Sequence, residues 1–150
     1  MYEIDKKHPL NDVSKASAIA QSYVNKVKSS KDRDIGFELG LLEYIEILSA
    51  PVCDYTGQPF DFDDRRKQPS LERINPLDGY TSTNTVLVTN EVNSAKSNLD
   101  TFLHSDKLTM EQKLRVMNRV IYRLKKQLKA QAELGKAPIE FKKNESLVSD

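Results

Sequence analysis

Glu72, Arg73, Asn84, Asn93 and Lys96 are the residues of this chain whose types and spacing suit chemistry. A carboxylate and an amide oxygen are hard ligands of the kind that hold a divalent cation such as Mg2+. A guanidinium binds phosphate oxygens in bidentate fashion, and an ammonium binds them as a compact charge. Arg73 is no general base, because a guanidinium with a pKa above ~12 takes no proton from water near neutral pH. Asn93 and Lys96 are one helical turn apart and share a face if that segment is helical. Such a set suits a phosphodiester and a hard cation held against it.

The elements that must position these residues are legible on either side of them. Residues 70–74 form a short alternating run, and residues 85–89 form a second one rich in β-branched side chains, so both read as strands. Between them lie the turn dipeptides Asn75-Pro76 and Asp78-Gly79. Asn90 can then cap a helix carrying Val92, Asn93, Lys96 and Leu99. The order is strand, polar loop, strand, helix.

The run Ser70-Leu71-Glu72-Arg73-Ile74-Asn75, followed by Gly79-Tyr80-Thr81, by Asn84 ahead of Val86, and by Asn93-x-x-Lys96, resembles phage-type HNH endonucleases with the ββα-metal fold. The resemblance spans residues 53–99 at most. It implies that Glu72 and Asn93 are ligands of a divalent ion, Mg2+ first, with Mn2+ or Ni2+ as substitutes. It implies that Asn84 fixes the loop and that Lys96 reaches the scissile phosphate. Arg73 stands where the family has its general-base histidine, which gives it a phosphate-binding and charge-stabilising role. Tyr80, after Gly79, is expected to pack under the loop. The family often carries two Cys-x-x-Cys knuckles for structural zinc. Here Cys53 is the sole cysteine and Thr56 stands where the second would be, so no structural zinc is expected. Neither histidine replaces the base. His8 lies in the exposed-looking run Lys6-Lys7-His8-Pro9, and His104 would sit roughly 16 Å beyond Asn93 on a continuous helix.

Two functions are compatible with these residues. One is a metal-dependent HNH-type DNA endonuclease or nickase. The other is a non-catalytic nucleic-acid-binding module, or an inhibitor of a host protein, on a decayed HNH scaffold.

The flanks are helical. Asn11 or Asp12 can cap a helix running to about residue 28, with Val13, Ala16, Ile19, Ala20, Tyr23 and Val27 on one face. A second helix is expected over residues 34–48, from Ile35, Leu39, Leu42, Ile45 and Leu48 at helical spacing, with Pro51 marking its end. Residues 61–68 form a charge-dense loop whose Arg65, Arg66 and Lys67 suit a DNA backbone. Thr109 and Gln112 offer a capping box for a last helix. In it Met110, Leu114, Met117, Ile121, Leu124 and Leu128 alternate spacings of four and three. Between residues 113 and 129 this helix holds no acid, and Arg115, Arg119, Arg123 and Lys126 give it a basic face for DNA. Its apolar seam suits packing within the chain, a homodimer or a host protein.

The expected organisation is a helical segment at 1–52, an HNH-like ββα domain at 53–104, a basic amphipathic helix at 105–135 and a disordered tail at 136–150. The fold class is α+β: a small ββα-metal unit, N-terminal helices and a long basic C-terminal helix. Net charge is only +1, so the chain is no overall polycation. One cysteine excludes an internal disulfide and fits a reducing cytoplasm. There is no apolar run of membrane-spanning length and no secretory h-region, so no membrane partner is expected.

Overall fold

The computed structural model describes residues 12–135; the run around His8 and the expected C-terminal tail lie outside them. The described residues are mixed helix and strand, with four helices and one two-stranded antiparallel sheet. They divide into two compact units, one up to Ser105 and one from Asp106.

Helix α1 spans Val13–Asp32 and is capped by Asp12, whose Oδ1 accepts from the amides of Ser14 and Lys15 at 3.0 and 3.2 Å. It runs past its expected end near residue 28, through Ser29, Ser30, Lys31 and Asp32. The stop comes where Asp34 turns left-handed at φ 55° and the Ile35 amide bonds back to the Ser30 carbonyl at 2.8 Å. Helix α2 is Leu41–Leu48, shorter than expected. Residues 35–39 are claimed by another partner: Tyr80 donates its amide to the Gly36 carbonyl at 2.8 Å and accepts from the Glu38 amide at 2.9 Å. Ile35 and Leu39 therefore keep an apolar spacing without a helix. The approach is close enough that a Cβ on Gly79 would lie 2.6 Å from the Gly36 oxygen.

Strands β1 (Pro69–Arg73) and β2 (Thr85–Thr89) pair antiparallel, with Leu71 opposite Leu87, Glu72 opposite Val86 and Arg73 opposite Thr85. Helix α3, Asn90–His104, follows β2 directly. Its cap is Thr89, whose Oγ1 accepts from the Val92 amide. Asn90 instead donates its side-chain amide to the Arg65 carbonyl at 2.8 Å, tying the charged loop to the helix start. The alternation of the pleat puts Ser70 and Glu72 on one face, and side chains of α3 bond to both.

The core of this unit is Leu39, Tyr44, Ile45, Cys53, Tyr80, Leu87 and Val88. Tyr44, Tyr23, Phe37 and Tyr80 pack in that spatial order with neighbouring centroids 5.3–5.7 Å apart, in edge-on or tilted geometry. This stack fastens α1 to α2 and to the loop between the strands. Cys53 is fully buried in a tight turn closed by the Gly57 amide to its carbonyl at 2.8 Å. Burial alone would push its thiol up, but hydrogen bonds from the Thr56 side chain and nearby backbone bring it below its ordinary value.

The second unit contains α4, Met110–Leu134. Thr109 Oγ1 accepts from the Gln112 amide at 3.2 Å while the Thr109 amide donates to Gln112 Oε1 at 2.9 Å, which completes the capping box. Gly135 ends the helix in the left-handed conformation at φ 58°. Met110, Leu114, Ile121, Leu124 and Leu128 are exposed along the seam. No helix among the described residues is long and apolar enough to cross a membrane.

Candidate phosphate-binding site

Antiparallel pairing brings the end of β1 beside the second turn of α3, and α1 closes over that junction. The result is a cavity of about 220 Å3 whose lining includes Lys26, Arg33, Glu72, Arg73, Tyr80 and Asn93. Both expected metal ligands, Glu72 and Asn93, face it.

Glu72 is not free for a metal. Its side chain is 7% exposed and its Oε1 accepts from the Lys96 ammonium. The same ammonium donates to Asp100 Oδ1 and to the Arg73 carbonyl, both at 2.8 Å. Lys96 thus uses three donors on three acceptors, the full capacity of an ammonium. Burial alone would push Lys96 down, yet the Asp100 and Glu72 carboxylates outweigh it and hold the ammonium above its ordinary value. Asn93 donates its Nδ2 to Ser70 Oγ at 2.8 Å. As arranged, these residues fit a lysine and do not fit a divalent ion: the Glu72 oxygen is taken by the Lys96 ammonium, and Asn93 spends its Nδ2 on Ser70. The Lys96 side chain is accordingly an internal ion-pair partner, not a surface group aimed at phosphate.

Arg73 extends from the strand end over the loop. Its Nη1 donates to the Pro76 and Asp78 carbonyls at 2.9 and 3.0 Å, and its guanidinium lies 5.4 Å from the Tyr80 ring centre. The remaining guanidinium N–H groups are left for a ligand. Asn84 is 9% exposed and binds the loop at three points. Its Oδ1 accepts from the Asn75 amide at 2.8 Å, and its Nδ2 donates to the Asn75 and Gly79 carbonyls at 3.0 and 2.9 Å. The arrangement shapes the loop that carries Tyr80.

Two lining cations, Lys26 and Arg33, come from α1 and its end, outside the segment that carries the motif. They are seven residues apart, two turns along one face. The sequence offered one faint sign: Lys26 follows Tyr23, a member of the apolar face, by a single turn. Lys26 Nζ lies 4.5 Å from the Tyr80 ring centre. Burial alone would push the Tyr80 phenol up, but Lys26 and Arg33 against its hydroxyl bring it below the ordinary value. Among the described residues, no carboxylate lies within ion-pair distance of Lys26, Arg33 or Arg73.

A second cavity, about 390 Å3, adjoins through Asn93 and is lined by Arg65, Arg66, Asn90, Glu91, Asn93 and Ser94. Arg66 is partly committed to Asp64 at 3.2 Å, in an exposed pair of little energetic consequence. The amides of Asn90 and Glu91 already donate to loop carbonyls at 3.0 and 2.9 Å. Side chains, not the helix N-terminus, therefore make up the cationic part of this cavity.

Within α4, Arg115, Arg119, Arg123 and Lys126 fall on the outer positions of the heptad whose seam is Leu114, Met117, Ile121, Leu124 and Leu128. Arg115 pairs with Glu111 at 2.8 Å in an exposed helical pair, and Lys126 lies 5.6 Å from the Tyr122 ring centre.

No protein family, curated protein or solved structure matches the chain.

Proposed function

We propose that the protein is a nucleic-acid-binding protein of HNH type, which engages the phosphate backbone through the cavity at the β1–α3 junction without a metal ion. One observation carries this reading: Lys26, Arg33 and Arg73 converge on one cavity with no carboxylate at ion-pair distance among the described residues, while Glu72 and Asp100, which also line it, are both paired to Lys96, so that cations stay in excess. Like charges held together repel unless an anion lies between them. A phosphate supplies that charge, and the planar guanidinium forks of Arg33 and Arg73 match its oxygens. Arg65 and Arg66, in the adjoining cavity, extend the contact along a strand. The basic face of α4 adds sequence-independent affinity.

The second reading is a metal-dependent DNA endonuclease or nickase. The HNH resemblance supports it, and so does the position of Glu72 and Asn93 on one cavity. For that activity Lys96 would have to leave the Glu72 carboxylate. Supercoiled plasmid incubated with the protein in Mg2+, Mn2+ or Ni2+, against an EDTA control, separates the two. The first reading expects retarded but intact plasmid under all four conditions. Relaxed or linear product appearing only with metal would establish the second, and no retardation in any condition would refute the first.

A further inference from the structure

We propose that the cavity lined by Lys26, Arg33, Arg73 and Tyr80 receives a terminal phosphomonoester of a nucleic-acid strand, in preference to an internal phosphodiester. This inference rests on the nucleic-acid reading above and names the part of the ligand that the cavity selects.

Charge is the first argument. Around the cavity four cations, Lys26, Arg33, Arg73 and Lys96, face two carboxylates, Glu72 and Asp100. A surplus of two positive charges remains. A phosphomonoester carries about −1.5 to −2 at neutral pH, because its second pKa is near 6. A backbone phosphodiester carries one negative charge. The terminal group balances the site and the internal one leaves it in excess.

Size is the second argument. Ordinary small-molecule pockets run from ~300 to 1,000 Å3. At about 220 Å3 this cavity suits a phosphoryl group with little of its sugar. The donors are the third. Arg73 has committed only Nη1, to Pro76 and Asp78. Arg33 commits Nε to the Ser29 carbonyl at 3.1 Å. Arg33, Arg73, Lys26 and Tyr80 line one cavity, with Lys26 and Arg33 also set against the Tyr80 hydroxyl. A phosphate end offers three non-bridging oxygens to such a set, one more than an internal linkage presents.

The test is a binding competition in EDTA. It uses one short duplex bearing 5′-phosphate, 3′-phosphate or hydroxyl ends, with inorganic phosphate as a separate competitor. The full-length protein should prefer one phosphorylated end over the hydroxyl end by about tenfold or more, the scale of a charge-assisted contact. In the double variant Lys26→Gln, Arg33→Gln that ratio should fall to near one. Arg33→Lys, which keeps the charge, should retain part of it, and circular dichroism of each variant shows whether the fold is intact. Equal affinity for phosphorylated and hydroxyl ends overturns this inference while leaving backbone binding in place. Inorganic phosphate competing as well as the phosphorylated duplex overturns the nucleic-acid terminus as the ligand. Absence of binding to every duplex overturns both readings.

Discussion

Replacing Lys96 by Met should destabilise the first unit severely, and the size of the effect follows from what is left behind. Lys96 and Glu72 side chains are 11% and 7% exposed, so solvent screens neither. Removing one partner of a buried pair strands the other charge and costs about 3–5 kcal/mol. A unit of this size has roughly 5–14 kcal/mol to lose. Each kcal/mol moves the melting midpoint of such a domain by about 4–8 °C, so a fall of at least ~12 °C is expected. Adding Glu72→Gln removes the more buried of the two stranded carboxylates, Asp100 being the other, and should recover about half of the loss. Urea unfolding of the parent, both single variants and the double variant gives the coupling energy directly. The pH dependence has a definite sign. Lys96 is held above its ordinary value, so its contribution is complete below the unfolded pKa of ~10.4 and is lost as pH rises through the folded one. Parent stability should therefore fall more steeply in strong alkali than that of Lys96→Met. A Lys96→Met protein within about 0.5 kcal/mol of the parent would refute the assignment of Lys96 as the internal counter-ion.

Three further outcomes are expected. Asn84→Ala removes an amide that satisfies three loop backbone groups and should cost about 2–4 kcal/mol in urea unfolding, with DNA binding weakened because Tyr80 and Arg73 lose their frame. Ultraviolet titration should find one tyrosine ionising below the ordinary ~10, and Tyr80→Phe should abolish that phase; its lowered folded pKa also means that Tyr80 adds stability as pH rises toward ~10. Replacing Arg119, Arg123 and Lys126 by Gln should flatten the log–log salt dependence of duplex binding by roughly two to three units, with the seam residues untouched and helicity retained.

The sheet and α3 were legible because local signals agreed: an alternating run, a β-branched run and turn dipeptides fell in order within a short stretch, although the cap is Thr89 and not the expected Asn90. The capping box and the heptad of α4 were legible for the same reason. The start of α2 was not. Ile35 and Leu39 keep helical spacing, but the backbone of residues 36 and 38 bonds to Tyr80, a partner more than forty positions away that no local pattern reveals. The candidate site divides the same way. Glu72, Arg73, Asn84, Asn93 and Lys96 stood out through the HNH resemblance; the fold brings Glu72, Arg73, Asn93 and Lys96 to one junction and sets Asn84 in the loop. Lys26 and Arg33 did not stand out, because a lysine on a helix face is ordinary until the tertiary fold sets it against a cavity. Lys96 was recognised without its partners. Asp100, one turn further along α3, was a signal available in the sequence, whereas the pairing with Glu72 depended on strand and helix meeting.

The most direct measurement is the affinity for duplex DNA in EDTA at several salt concentrations, for the parent and for Lys26→Gln and Arg73→Gln. Cationic side chains binding phosphate without a metal predict that the parent binds, that affinity falls steeply with salt, and that each variant weakens binding by about tenfold with its fold intact. Binding that appears only when Mg2+ is restored, or equal affinity in all three proteins, would contradict it.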